Sequence, residues 1–173
     1  VFGGSQGARV LNEFVPRALN KLEHMRIKVL HQSGFDDYRK TQDRYDATEL
    51  HVNATVRPYI DDMAEAYVDA DLVISRSGAI TVSEIAAVGV TSILIPYGFA
   101  VDDHQTKNAE YLKNTGAAIV LSEAELTEKS LVTVLKQLLE NEEHFSKMSE
   151  AARLLVQDDA ASIIVKHCQE LCI

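Results

Sequence analysis

Short apolar runs alternate along this chain with longer segments in which apolar side chains recur every three or four residues. The short runs, rich in β-branched residues, predict strands, and the longer segments predict helices. The predicted strands are 27–31, 51–56, 72–74, 91–95 and 118–121. The predicted helices are 8–22, 35–45, 61–67, a helix from near 79 to Gly89, 104–114, and, in a purely helical region from 127 onward, 131–138, 145–156 and 160–171.

Strands that alternate with helices indicate an α/β fold, in which helices cover both faces of a mainly parallel sheet. Ligands of such sheets bind at the carboxyl ends of the strands. Four loops follow strands and are expected to meet at that edge, which we call the rim: 3–7, 58–63, 75–81 and 96–105. With 173 residues, 46% of them hydrophobic, the chain is predicted to form one domain over 1–173.

The stretch 71–84 contains the clearest candidate ligand site. A buried strand leads through Gly78 into a helix of small residues, and between 72 and 101 only Arg76 and Glu84 are charged. The unpaired N–H groups and the dipole at the start of a helix favour anions. Glu84, one turn further, is placed to accept hydrogen bonds from a neutral group beside that anion, such as a sugar diol.

Two residues of this stretch also have a purely structural interpretation. Thr81-x-x-Glu84 fits a capping box, in which the Glu84 side chain returns to the start of its own helix. Arg76 could reach a phosphate or pair with a carboxylate, and we favour the carboxylate. For Glu84, capping and ligand binding both remain open at this stage.

The glycine-rich segment Gly3-Gly4-Ser5-Gln6-Gly7 follows a strand and opens a helix. It differs from the dinucleotide fingerprint, because Phe2 occupies the place of the first glycine, and it lacks the Lys-Ser/Thr of a phosphate-binding P-loop. It nevertheless lets the backbone approach a ligand closely, with the Ser5 hydroxyl as an additional donor. The alternative is a tight turn in which Ser5 caps the helix.

The segment 102–105 opens another helix at the rim. His104 and Gln105 are polar groups suited to sugar hydroxyls, and Asp102 and Asp103 suit the helix dipole. Adjacent residues at a helix start point in different directions, so no metal site is predicted there. The pair Asp69–Asp71 precedes its strand at the opposite edge of the sheet, so we also reject it as a metal signature.

Composition excludes several classes of function. The net charge of −9 and the pI near 5.1 argue against nucleic-acid binding, because the chain would repel a phosphate backbone. No apolar run approaches the roughly 20 residues needed to span a bilayer.

Cys168 and Cys172 are predicted to be free thiols in a reducing compartment. Val1-Phe2 looks like a strand cut through its middle, so we expect a fragment of a longer protein.

Several motifs together resemble the donor-binding half of the MurG family of glycosyltransferases. The matching segments, in order, are GGSQGARVLNE (3–13), HQSG (31–34), YIDDMAEAY (59–67), DLVISRSGAITVSE (71–84) and DDHQTKNAEYLKNTGAA (102–118). They run through most of the chain, and their order is more specific than any single segment. One difference is that Gly98-Phe99 stands where family members usually have a second proline.

The resemblance implies a three-layer Rossmann-like domain, the C-terminal half of a GT-B glycosyltransferase, and a set of donor contacts. Ser5, flanked by Gly4 and Gln6, would bind the diphosphate, together with the helix start formed by Gly78, Ala79, Ile80 and Thr81. The Ile60 backbone would read the uracil edge, with Met63 packed nearby. Glu84 would hold the ribose diol. Gln105, with His104 beside it, would contact the hydroxyls of N-acetylglucosamine.

The resemblance also implies a reaction. Family members move N-acetylglucosamine from UDP-N-acetylglucosamine to the undecaprenyl-linked muramyl-pentapeptide of peptidoglycan synthesis, with inversion and without a cofactor or metal. They act on the cytoplasmic face of the bacterial membrane, which they contact through the acceptor half. We therefore expect the present chain to bind donor weakly without turnover, since the catalytic base should lie in the missing half or the cleft between the halves.

Three other functions remain open. The chain could be a naturally separate donor subunit of a two-chain lipid-linked-oligosaccharide transferase. It could instead be a non-catalytic module that binds a nucleotide sugar or a dinucleotide, or a purely structural domain.

Overall fold

The computed structural model of the chain describes residues 1–48, 51–98 and 103–155. Its strands are β1 (Ile27–Gln32), β2 (Val52–Arg57), β3 (Leu72–Ser75), β4 (Thr91–Leu94) and β5 (Ala118–Val120). Its helices are α1 (Arg9–Leu19), α2 (Tyr38–Asp46), α3 (Met63–Val68), α4 (Ala79–Val88), α5 (His104–Asn114), α6 (Glu128–Leu139) and α7 (Glu142–Arg153). The predicted helix 160–171 and both cysteines lie outside the described residues.

All pairings between these strands are parallel, as predicted. β1 pairs with β2, and β4 pairs with both β3 and β5. Phe2 joins the two groups, because it forms parallel bridges to Gln32 at the end of β1 and to Ser75 at the end of β3. Its N–H donates to the Ile74 carbonyl at 3.1 Å. The strand order across the sheet is therefore β2, β1, the segment around Phe2, β3, β4 and β5.

Helices cover both faces of the sheet, which gives three layers. Neighbouring residues of a strand point to opposite faces, and Val73 and Ile74 accordingly belong to different apolar clusters. One cluster contains side chains of α1 and α6 against Ile74 and Ile93. The other contains side chains of α4 and α5 against Val73 and Leu94. The predicted α/β fold is confirmed.

Helix α1 contains a proline and continues past it. Pro16 has no N–H, so the carbonyl of Asn12, four residues earlier, loses its helical partner. The Arg44 guanidinium of α2 donates to that carbonyl at 3.4 Å. The helix ends at Leu19 rather than at the predicted residue 22. A neighbouring element thus supplies the donor that proline removes.

Local caps account for other shifts in helix bounds. α3 begins at Met63, because the Asp62 side chain accepts a hydrogen bond from the Glu65 N–H at 2.9 Å. α4 ends at Val88, and its C-cap residue is Gly89, the predicted end, whose φ of 70° is the left-handed conformation that glycine adopts readily. Within the described ranges, no helix has both the length and the apolarity needed to cross a bilayer.

Candidate functional site

The four predicted loops follow the carboxyl ends of the strands, and hydrogen bonds connect the loop after β3 to the start of α5. The Ser77 hydroxyl donates to the Gln105 carbonyl at 2.8 Å, and the Asn108 amide donates to the Ser77 carbonyl at 3.0 Å. These contacts tie the loop after β3 to the start of α5. Positions 99–102 of the fourth loop, including Phe99 and Asp102, lie outside the described residues.

The start of α4 is open to solvent. Gly78 is the N-cap residue, and no side chain caps the helix there. The first helical hydrogen bond runs from the Val82 N–H to the Gly78 carbonyl at 3.0 Å, so the N–H groups of Ala79, Ile80 and Thr81 precede the bonded ladder. Ala79 and Ile80 are exposed. This helix start has the geometry of an anion site.

Glu84 is not a helix cap, so the capping-box interpretation is wrong. Its Oε2 instead accepts a hydrogen bond from the Tyr67 hydroxyl of α3 at 3.0 Å. The Tyr67 ring is buried and packs edge-on against Phe2, with 5.8 Å between the ring centroids. Burial, followed by the nearby Glu84 charge and this hydrogen bond, raises the pKa of Tyr67, so the phenol remains a neutral donor. A half-buried Glu84 with one oxygen held in this way retains acceptor capacity for a diol.

The interpretation of Ser5 as a helix cap is also wrong. α1 begins at Arg9, and its N-cap residue is Ala8. Ser5 and Gln6 are exposed at the tip of a turn that the Gly7 N–H closes onto the Gly4 carbonyl at 3.0 Å. The Ser5 hydroxyl therefore faces solvent at the rim, where a ligand can reach it.

The glycine loop rests directly on the backbone after β1. A Cβ on Gly7 would lie 1.9 Å from the Ser33 carbonyl oxygen, and a Cβ on Gly34 would lie 2.3 Å from the Gln6 carbonyl oxygen. Both residues also have positive φ, 74° and 78°. Only glycine allows this close approach.

Ile60 and Met63 occupy the loop and helix start after β2. Ile60 is buried, and its N–H donates to Oε1 of Gln32 at 2.8 Å. A uracil carbonyl that bound this N–H would have to share it with Gln32 or displace the Gln32 oxygen. Met63 is half-buried at the first position of α3 and packs against the cluster that contains Tyr67.

Gln105 and His104 lie at the start of α5. Gln105 Oε1 accepts a hydrogen bond from the Tyr97 N–H at 3.0 Å, which fixes the orientation of its amide. His104 is exposed and follows Asp103, whose φ of 52° is unusual for a residue with a side chain. Among the described residues, no three His, Cys, Asp or Glu side chains form a group that could hold a metal.

Arg76 is held by protein groups. Its Nη1 lies 2.7 Å from Glu123 Oε2 and donates to the carbonyls of Ile95 and Pro96 at 3.1 and 3.0 Å. Its guanidinium also lies 5.2 Å from the centroid of the Tyr97 ring. These contacts agree with the favoured pairing of Arg76 with a carboxylate.

A cleft of about 500 Å³ opens at the rim beside this ion pair. Its walls include Gly3, Gly7, Arg9, Arg76, Tyr97 and Gln105. It therefore joins the glycine loop to the start of α5, so a ligand could contact both at once. This volume is in the range of small-molecule sites.

Sequence reasoning did not single out two residues of this region, Gln32 and Tyr67. Both lie in segments that carry the resemblance, HQSG and YIDDMAEAY, but neither residue was given a role there. A strand-end polar residue is a signal that could have identified Gln32. The role of Tyr67 depends on a contact between two helices that the chain pattern does not reveal.

Comparison with known proteins identifies the family of this chain. Residues 1–164 match the glycosyltransferase family 28 C-terminal domain. A relative from Methylococcus capsulatus, "UDP-N-acetylglucosamine--N-acetylmuramyl-(pentapeptide) pyrophosphoryl-undecaprenol N-acetylglucosamine transferase", is 46% identical over 98% of this chain and 48% of its own length.

Solved structures give the same result. The crystal structure of Acinetobacter baumannii MurG has a TM-score of 0.90 and 39% identity, over 97% of this chain and 48% of that one. Spinosyn forosaminyltransferase SpnP, at 21% identity and a TM-score of 0.64 over 94% of this chain and 39% of that one, shares the fold.

The parallel sheet and its rim define a domain of the GT-B glycosyltransferase class. Within that class, the chain belongs to glycosyltransferase family 28, as its C-terminal domain. The resemblance to MurG is thereby confirmed, and the chain spans about half the length of the curated relatives that it matches.

Proposed function

We propose that this chain is the donor-binding half of an inverting glycosyltransferase. The substrate is UDP-N-acetylglucosamine, and the acceptor is the undecaprenyl-linked muramyl-pentapeptide, bound through an N-terminal half. The observation that carries the proposal is the pairing of an uncapped helix start at Gly78 with Glu84. Glu84 is a carboxylate in the second turn of the same helix, and Tyr67 of α3 holds it. An anion and a diol fit side by side there, as they occur in UDP.

Each part of the donor has a proposed partner at the rim. The diphosphate lies between the turn Gly4-Ser5-Gln6 and the N–H groups that follow Gly78. The uracil is read by the backbone of Ile60, with Met63 beside it, and the ribose diol by Glu84. The sugar contacts Gln105 and His104. The hydrogen bonds that connect the loop 75–81 to the start of α5, and the loop 3–7 to the loop 58–62, support this assignment.

The chemistry follows from the charge that develops on the leaving diphosphate. N–H groups at the start of α4 and in the glycine loop are oriented before the reaction, so they stabilise that charge without reorganisation. One such donor typically contributes ~3 kcal/mol to transition-state stabilisation. This role needs neither a cofactor nor a metal. We assign the catalytic base to the missing half or the cleft between the halves.

The same proposal covers the setting of the enzyme. The complete protein would act in the cytoplasm, at the inner face of the bacterial membrane, which it would contact through the acceptor half. Nucleic acids are not proposed as partners, since the chain has a net charge of −9.

Calorimetric titration of the chain with UDP, UDP-N-acetylglucosamine and NAD tests the proposal. We expect binding of both uridine nucleotides, no binding of NAD and no glucosaminyl transfer. Glu84→Ala should weaken the binding of UDP. Glu150 is an exposed glutamate on α7, and Glu150→Ala should leave UDP affinity unchanged. NAD binding without UDP binding would favour a dinucleotide module, and binding of none of the three would favour a structural domain.

A further inference from the structure

Gln32 lies at the centre of the rim, between two of the proposed subsites. It is the last residue of β1 and is only 4% exposed. It pairs with Arg57 of β2 on one side and forms a bridge with Phe2 on the other. The loops that leave these two neighbours are the base loop, 58–62, and the glycine loop, 3–7.

The Gln32 side chain bonds to both of those loops. Its Nε2 donates to the Gly4 carbonyl at 2.9 Å, and its Oε1 accepts from the Ile60 N–H at 2.8 Å. A carbonyl can only accept and an N–H can only donate, so these partners determine the orientation of the amide. One buried side chain therefore links the proposed diphosphate and uracil subsites directly.

The backbone around Gln32 is tied to the same two loops. The Ser33 and Gly34 N–H groups donate to the carbonyls of Arg57 and Pro58 at 3.0 and 3.1 Å. On the other side, Gly34 lies directly against the Gln6 carbonyl oxygen. The glycine loop, the end of β1 and the base loop thus form one hydrogen-bonded block, and the Gln32 amide spans it.

We infer that Gln32 is a positioning residue that holds the uracil and diphosphate subsites at the separation found in a uridine diphosphate. This inference rests on the proposed function. Gln32 acts through Gly4 and Ile60, without a proposed contact of its own to the donor. Its effect is specific to ligands that occupy both subsites, because only they require a particular distance between the subsites.

The distinction can be measured with whole and partial ligands. Uridine occupies the base and ribose subsites without the diphosphate subsite, inorganic pyrophosphate occupies the diphosphate subsite alone, and UDP occupies all of them. Gln32→Met keeps the length and volume of the side chain but removes both hydrogen bonds. NMR titration should show that this variant binds UDP about tenfold more weakly, a factor typical of coupling between sites. The affinity for pyrophosphate should change by less than about twofold. The affinity for uridine should not fall, because the variant frees the Ile60 N–H that Gln32 otherwise occupies.

A second variant separates the two hydrogen bonds. Gln32→Glu keeps an acceptor for the Ile60 N–H but places an oxygen against the Gly4 carbonyl oxygen. We expect unchanged uridine affinity and an Ile60 amide resonance near its original position. The added negative charge repels any anion in the diphosphate subsite, so the inference predicts a loss of UDP affinity that is larger than the loss of pyrophosphate affinity. The Ile60 amide resonance should shift in Gln32→Met. If Gln32→Met does not fold, the comparison of Gln32→Glu with the unaltered chain tests the inference. Gln42→Met is the matched control, because Gln42 bonds only within α2 to Asp46 in the described contacts.

Two results would overturn the inference. One is UDP affinity that is unchanged in both Gln32 variants. The other is a loss of uridine and pyrophosphate affinity in Gln32→Met as large as the loss for UDP, which would indicate local damage to each subsite. If the unaltered chain did not bind UDP at all, the proposed function would fail first and the inference with it, before any variant was compared.

Discussion

The Tyr67 hydroxyl donates a hydrogen bond to Glu84 Oε2 at 3.0 Å, so that helix α3 orients a carboxylate of helix α4. Tyr67 is 3% exposed, whereas Glu84 is half-buried at the side of the open helix start. A buried donor holding a more accessible carboxylate is the arrangement expected for a ligand group that must keep one orientation.

The first prediction concerns this hydrogen bond. Tyr67→Phe keeps the ring that packs against Phe2 but removes the hydroxyl, so the fold should be retained while Glu84 gains freedom. A hydrogen bond to a charged group contributes about 1.5–3 kcal/mol at most, and we expect UDP affinity to fall by about three- to tenfold. Calorimetry measures the change, with Tyr111→Phe, at a half-exposed position, as the control. Equal UDP affinity in Tyr67→Phe and the unaltered chain would show that Glu84 needs no such support.

The second prediction tests the role of Glu84 on the ribose. The unaltered chain should prefer UDP over 2′-deoxy-UDP by about tenfold, because the deoxy compound leaves one carboxylate bond unmade. Glu84→Ala should bind both compounds with the same, lower affinity. The four affinities form a thermodynamic cycle. A preference for UDP that survives in Glu84→Ala would place the diol against another residue.

The third prediction concerns the contact of Gly34 with the glycine loop. Gly34 and Gly116 have nearly the same φ, 78° and 77°, but a Cβ on Gly116 would meet nothing within 4 Å. Both alanine variants bear the backbone cost of about 1 kcal/mol. Only Gly34→Ala also pushes a methyl group against the Gln6 carbonyl. Urea unfolding should therefore show a larger loss of unfolding free energy for Gly34→Ala, and equal losses would mean that the loop moves aside easily.

The fourth prediction is a pH dependence caused by His31. His31 is fully buried; its Nδ1 lies 2.9 Å from the Tyr45 hydroxyl and its Nε2 3.0 Å from Asn12 Oδ1. The Asn12 amide nitrogen donates to the Ser33 carbonyl, so Asn12 Oδ1 is an acceptor and the Nε2 of His31 bears the hydrogen. Burial lowers the pKa of His31 well below its usual value of 6.5.

The sign of the effect follows from proton binding. Below pH 6.5 the unfolded chain protonates His31 and the folded chain does not, so stability is full above that pH and is lost progressively toward the folded pKa. One such group changes the unfolding free energy by at most ~1.4 kcal/mol per pH unit. Urea unfolding between pH 7.5 and 5 measures the slope, which His31→Gln should reduce. An unchanged slope in that variant would assign the pH dependence to other groups.

The sequence by itself determined the order of the elements and the location of the rim. The spacing of apolar residues distinguishes strands, in which successive side chains point to opposite faces, from helices, in which side chains on one face recur about every turn. It therefore predicted the parallel sheet, and with it the loops that contain Ser5, Gly78 and Gln105. The location of the start of α4 followed from Gly78 and the small residues after it, which are local features, but the absence of a side-chain cap did not.

Only the tertiary structure decided what holds these groups in place. Tyr67 and Glu84 are 17 residues apart, Gln32 and Gly4 are 28 apart, and Arg44 and Asn12 are 32 apart. Thr81 and Glu84 matched a capping box, yet the phenol from α3 holds the carboxylate instead. Local spacing cannot show which of two possible partners a side chain takes, because that choice depends on the distance and burial that packing produces.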